Sequence, residues 1–156
     1  MRSTAIWGTL GINALALGIG ISFALHPSAS AHPAGAPSAD RASMVIVSSI
    51  KLGGDRKLHD AFTPAIVAGT VGRPLTVTVY NYDTDPHTRI SVPLHLQVLV
   101  RGAARGAQPA ATTFTFTPTR AGTYTWRCTR PCDSESKGWA MGHMGYMSGG
   151  FAIRPA

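Results

Sequence analysis

Residues 75–81 read Leu-Thr-Val-Thr-Val-Tyr-Asn, with apolar and polar side chains alternating one by one. A period of two is what a strand with one buried face requires, because successive side chains point to opposite sides. Leu75, Val77 and Val79 share one face, and Thr76, Thr78 and Tyr80 share the other. The pattern returns at residues 111–118, where Phe114 and Phe116 alternate with Thr113, Thr115 and Thr117. It returns again at 122–128, where Tyr124, Trp126 and Cys128 oppose Thr123, Thr125 and Arg127. Weaker strand patterns run over Met44–Ile50, Ala65–Ala68, His87–Val92, Leu94–Arg101 and Gly150–Arg154. Turn formers separate them: Gly53-Gly54, Gly69, Gly72-Arg73-Pro74, Asp83 to Pro86, Gly102 to Pro109, and Gly122. Seven or eight short strands at this spacing predict an all-β chain, an antiparallel sandwich or barrel. After residue 42 no stretch has a helical period with caps, although short helical turns fit Lys57–Phe62 or the 133–140 segment.

The first forty residues follow a different pattern. From Ala5 to Leu25 no residue carries a formal charge, and Arg2 precedes the stretch. A positive flank followed by an apolar run is an export signal or a membrane anchor. The run is long for a cleaved signal core and about the roughly 20 residues that span a bilayer. Gly11, Asn13, Gly18, Gly20 and Ser22 dilute it, and Ala29-Ser30-Ala31 offers a small-x-small cleavage site. Both readings place the remainder outside the cytoplasm, either tethered through an N-terminal hydrophobic helix or secreted. Residues 26–42 are Pro, Ala, Ser and Gly with hardly a large apolar side chain, which reads as a flexible linker. The expected organisation is a signal or anchor over 1–31, a linker over 32–42 and a folded domain over 43–156.

Composition narrows the function classes. Charged residues are 13% of the chain and hydrophobic residues 44%, with 17 Gly and 11 Pro; long helical bundles are disfavoured and apolar surface is available to bury. The net charge is +7. The arginines fall singly, among them Arg73, Arg89, Arg101, Arg105, Arg120, Arg127 and Arg130, rather than on one helix as a nucleic-acid binder would cluster them. They read as a diffuse basic surface, and no nucleic-acid partner is expected. No Ser-His-Asp arrangement, phosphate-binding glycine loop or paired catalytic carboxylates stand out.

Metal-capable side chains gather in two places. His87 begins a candidate strand in Asn-Tyr-Asp-Thr-Asp-Pro-His. The second place is the loop from Cys128 to Met147, which carries both cysteines of the chain, His143, and Met141, Met144 and Met147 at intervals of three. Thiolate, imidazole and thioether together suit copper, which is soft when reduced and accepts nitrogen and sulfur. Zinc accepts Cys and His but gains nothing from three methionines. Each candidate also has a plainer reading. Cys128 and Cys132 are close enough in sequence to form a disulfide, the common fate of two cysteines in an exported protein. His87 can be satisfied by Asp83 or Asp85. The methionines can fill the end of the sandwich, packed on Trp139 and Tyr146. Trp139 lies in the loop, where an exposed aromatic could pass electrons, and Arg127 and Arg130 flank the first cysteine. His95 alternates with Leu94 and Leu96 and faces away from the core; His26, His32 and His59 look incidental.

The stretch TVTVYNYDTDPH, then FTFTPTRAGTYTWRC, then the methionine-containing loop and a closing strand, resembles a cupredoxin. Over roughly residues 63–154 it is most similar to the CuA-type domains related to cytochrome c oxidase subunit II. The resemblance implies a single Greek-key β-sandwich with one early-strand histidine and the remaining ligands on one late loop. His87 would be the early ligand, Cys128 and Cys132 bridging thiolates, and His143 and Met147 the later ligands, with Met141 and Met144 less favoured. The chain departs from that pattern after the second cysteine. Ser136 and Trp139 occupy the positions of the pattern's His and Met, and His143 and Met147 come seven and eight residues later. The function implied is CuA-like electron transfer in or near a respiratory chain, using one or two copper ions and a redox protein or oxidase as partner. Two alternatives stand beside it: a Cu(I) chaperone for an oxidase that uses the methionine-rich loop, and a metal-free interaction module closed by a Cys128–Cys132 disulfide.

Overall fold

The computed structural model describes residues 39–133 and 137–156, all within one compact unit, Ala34–Ala156. The hydrophobic segment at residues 5–25 lies outside the described residues. Among the described residues no helix is long and apolar enough to cross a membrane.

Nine strands form among the described residues: β1 (Asp40–Leu52), β2 (Leu58–Thr63), β3 (Ile66–Thr70), β4 (Leu75–Asn81), β5 (His87–Ser91), β6 (Leu96–Val100), β7 (Ala110–Phe116), β8 (Gly122–Arg127) and β9 (Ser148–Arg154). They assemble into a four-stranded sheet ordered β2-β1-β4-β7 and a five-stranded sheet ordered β3-β9-β8-β5-β6. Both sheets are mixed, because β1 runs parallel to β4 and β3 parallel to β9 while the other pairs are antiparallel. The sandwich was legible in the alternation of side chains; the two parallel pairings were not. β1 begins at Asp40, three residues ahead of the expected domain start, and its first residues pair with Leu75, Thr76 and Val77.

The alternating positions behave as their period demands. Leu75, Val77 and Val79 are fully buried. On the opposite face Thr76 and Thr78 hydrogen-bond across the strands to Thr115 and Thr113, at 2.9 and 3.0 Å. Met44, Ile46 and Phe62 complete that sheet's inner surface, and Trp126, Phe151, Ile153 and Val100 supply the facing one. Phe62 meets Trp126 edge-on at 4.8 Å, the geometry aromatic pairs prefer. Gly149 is required where β9 passes under this contact, since a Cβ there would lie 2.0 Å from the Ala65 carbonyl oxygen and 2.4 Å from the Trp126 ring.

Two sequence expectations are corrected. Lys57–Phe62 is not a helical turn: Leu58–Phe62 lies in β2, hydrogen-bonded to β1 with Leu52 opposite Leu58 and Ile46 opposite Phe62. His59 and Ala61 point inward there, so the segment follows a strand period that its polar residues disguise. Arg89 does not belong to a basic surface, because its side chain is fully buried between the sheets. The late loop does contain a helical turn, a single 3-10 turn at Trp139–Gly142.

Candidate metal centre

The site lies where the strand ends of β5 and β8 meet the loop that follows β8. Asn81, fully buried at the end of β4, fixes the approach to β5. Its amide donates to the carbonyls of Asp85 and Arg101 at 2.8 and 3.0 Å, and its side-chain oxygen accepts from the Asp83 amide. Gly102 lets that loop close: a Cβ there would lie 2.0 Å from the Thr84 carbonyl oxygen. The turn therefore delivers His87 to the interior with 1% of its surface exposed.

Cys128 follows β8 directly, on the inward face that Trp126 establishes, and its amide donates to the Met147 carbonyl at 2.8 Å. Pro131 and Cys132 then turn back. The two sulfurs come within 2.9 Å of each other, both as free cysteines. His87 Nδ1 lies 3.0 Å from Cys132 Sγ. The three donor atoms all lie within 4.8 Å of one another, and all three residues are buried. The other nitrogen of His87, Nε2, is 3.2 Å from Asp83 Oδ2. A carboxylate on the distal nitrogen is how proteins orient a metal-binding imidazole and fix its tautomer.

The electrostatics follow from burial and from the shared contact. The Cys128 thiol is driven well below its ordinary value, chiefly by the hydrogen bond from Cys132 and against the effect of burial, with further help from His87 and Thr88. The Thr88 amide lies 3.4 Å from the Cys128 sulfur and its hydroxyl 3.7 Å away. Cys132 is driven up by the same hydrogen bond, by burial and by the charge on Cys128. The two sulfurs therefore titrate as a pair, with the thiolate favoured at Cys128 and the thiol at Cys132. Burial works against a charged His87 ring, but Cys128 and Asp83 outweigh it and raise its pKa. A buried set of one imidazole and two sulfurs fits a copper ion.

Of the residues expected at the site, His87, Cys128 and Cys132 converge. Met147 is buried in the same core cluster. His143 stands apart: its ring stacks on Trp139 at a centroid distance of 3.5 Å, and Nδ1 donates to the Trp139 carbonyl at 2.6 Å. Its local partner holds it exposed rather than turned toward the sulfurs. Met141 and Met144 line a cleft of about 390 Å³ with Thr125, Trp126 and Ser148, and Met144 is 57% exposed. Trp139 is half-buried between two histidine rings. His95 is exposed, as expected.

Sequence reasoning missed His59 and Asp133. His59 is fully buried, with Nδ1 2.9 Å from Asp133 Oδ2 and Nε2 2.8 Å from Asp55 Oδ1, and its ring stacks on Trp139 at 4.3 Å. Asp133, next to Cys132, also accepts the Ala140 amide at 3.0 Å. This carboxylate therefore ties the loop at Asp133 and Ala140 to His59 of β2. The available signal was the inward alternation of His59 with Ala61. Asp60, Asp83, Asp85 and Asp133 line a polar cavity of about 160 Å³ beside the site, four of the chain's seven acidic residues. The Asp60 carboxyl is raised by burial, with Asp83 and Asp133 adding to the effect.

No family model and no curated protein matches the chain. Solved structures do. A multi-copper oxidase from Pseudomonas thermotolerans superimposes with a TM-score of 0.52 at 11% identity, over 76% of this chain and 30% of that one. The multicopper oxidase mgLAC gives 0.51 at 19% identity, over 76% and 39%. The copper nitrite reductase from Nitrosomonas europaea gives 0.51 at 16% identity, over 76% and 42%. The fold is cupredoxin-like. At these identities the likeness is one of architecture, and this chain matches well under half the length of each of those proteins.

Proposed function

We propose that the protein is an extracytoplasmic copper-binding cupredoxin that carries electrons singly to or from a redox protein or oxidase. The observation that carries this reading is the buried convergence of His87 Nδ1, Cys128 Sγ and Cys132 Sγ. These three residues would hold the ion. Copper, when bound, supplies a one-electron couple that the side chains alone lack.

The chain's own residues do the rest. Asp83 keeps the His87 ring oriented and its Nδ1 available. Thr88 holds the Cys128 sulfur in place and favours its thiolate. Asn81, Trp126 and Phe62 keep the ligand-bearing backbone rigid and dry, so that ligand positions change little between oxidation states. With His143 stacked on Trp139, a single-copper centre accounts for the geometry better than a two-copper one, which needs a second histidine. Extracytoplasmic location rests on the sequence of residues 5–25 alone.

The exposure of Met144 beside Met141 favours a second reading, delivery of Cu(I) to an oxidase, because thioethers on a surface cleft can receive and release a soft ion. Competition between the reduced protein and a Cu(I) chelator separates the two. Electron carriage predicts tight binding that survives replacement of Met141, Met144 and Met147 by Leu and collapses in Cys128→Ser. Delivery predicts the loss in the methionine variant. Weak binding in the wild type, unaltered by Cys128→Ser, would end the copper reading.

A further inference from the structure

Arg89 is the second residue after His87 on β5, so both side chains enter the sandwich from the same face. The pairing of Ile90 with Arg127, extended by one rung, sets Arg89 opposite Cys128. The next rung confirms that register, since the Thr88 and Thr129 hydroxyls hydrogen-bond at 3.0 Å. Cross-strand neighbours of this kind have Cβ atoms about 5 Å apart.

The side chain is fully enclosed. Its guanidinium carbon lies 4.2 Å from the Trp126 ring centroid, 4.5 Å from Phe151 and 5.8 Å from Phe114, and Nη1 contacts the Met44 sulfur. Nε and Nη2 have no hydrogen-bond partner, and among the described residues no carboxylate pairs with the group. Burial pulls the pKa of the Arg89 guanidinium down to about 9, which leaves it charged at neutral pH, and a buried charge is ordinarily paired or bound to a metal. The aromatic faces offset part of that cost. Across the β5–β8 ladder the residue opposite Arg89 is Cys128, whose sulfur belongs to the donor cluster.

We propose that Arg89 is the buried counter-charge of the metal centre and biases bound copper toward Cu(I). The inference rests on the copper reading above. Two thiolates with Cu(I) carry a net charge of −1, which Arg89 balances. With Cu(II) the centre is neutral and the guanidinium is left unmatched. Reduction adds one electron to the copper, moves no proton and makes or breaks no bond at Arg89, so the preference is purely electrostatic.

The test poises copper-loaded wild type, Arg89→Met, Arg89→Gln and Arg89→Lys in a one-electron redox buffer, at the potential where the wild type is half oxidised. The oxidised fraction is read from the thiolate-to-copper absorption. If the charge acts over about 10 Å at an effective dielectric of about 20, its removal should raise the oxidised-to-reduced ratio on the order of tenfold in the Met and Gln variants. The Lys variant, which keeps the charge, should stay within about twofold of wild type. Ratios near wild type in both neutral variants, or a Lys variant shifted as far as they are, would overturn the role of Arg89 while leaving copper binding intact. The Gln and Met variants differ in polarity, so either one that folds decides the matter. A wild type without copper uptake ends both readings.

Discussion

Replacing Asp133 by Ala should unfasten the late loop from β2, and the structure sets the size of the loss. The carboxylate accepts from His59 Nδ1 at 2.9–3.0 Å and from the Ala140 amide at 3.0 Å, and its side chain is 3% exposed. The substitution leaves a buried histidine and a buried amide without their acceptor. Hydrogen bonds to a charged group contribute about 1.5–3 kcal/mol each, and stranding one partner of a buried pair costs about 3–5 kcal/mol. A loss of about 3–5 kcal/mol is therefore expected for the metal-free protein. Urea unfolding followed by Trp fluorescence measures it. With a slope of about 1.5 kcal/mol per molar urea, the midpoint should fall by roughly 2–3 M. Asp55→Ala, which removes the more exposed partner of the same histidine, should cost markedly less. A fall below about 1 kcal/mol for Asp133→Ala, or equal losses in the two variants, would refute the assignment of Asp133 as the buried anchor.

Further outcomes follow from the same geometry. Asp83→Asn should weaken copper binding by about 10–100-fold in a chelator competition, because the His87 ring loses the carboxylate that orients it; an unchanged affinity would mean the Asp83 contact is incidental. His143→Ala should leave that affinity within about twofold, since the ring is held on Trp139 outside the donor cluster. Burial lowers the His59 pKa, but Asp55 and Asp133 raise it more, to a net value above the ordinary 6.5. The stability from this charged histidine is complete below the unfolded value of 6.5 and is lost as pH rises through the higher folded value. The gap in urea midpoint between wild type and Asp133→Asn should accordingly narrow from pH 6 toward alkaline pH; a gap that widens would contradict a charged His59.

The sandwich was readable because alternation is a local property: Leu75, Val77 and Val79 face inward whatever lies across from them. His87 and the two cysteines were readable because donor chemistry is visible in residue type. The remainder depends on contacts between residues far apart in the chain. His59 and Asp133 are separated by 74 positions, and nothing beside either residue announces the other. Arg89 looked like one more isolated surface arginine, because its inward direction is fixed by the register of β5 against β8. His143 looked like a ligand because it is the late loop's histidine, although it falls seven residues beyond the expected position; its competing partner, Trp139, lies only four residues away and wins by stacking and a short hydrogen bond. β2 was obscured by His59 and Asp60, polar residues in a strand at the edge of its sheet.

The central claim, that His87, Cys128 and Cys132 bind copper, is tested most directly by electron paramagnetic resonance and visible absorption of the copper-titrated, reduced protein after oxidation. The account predicts one copper ion per chain, a sulfur-to-copper charge-transfer band, and hyperfine structure from a single nucleus that persists in His143→Ala and vanishes with the band in Cys128→Ser. Copper held without that band, or a spectrum indifferent to Cys128, would contradict it.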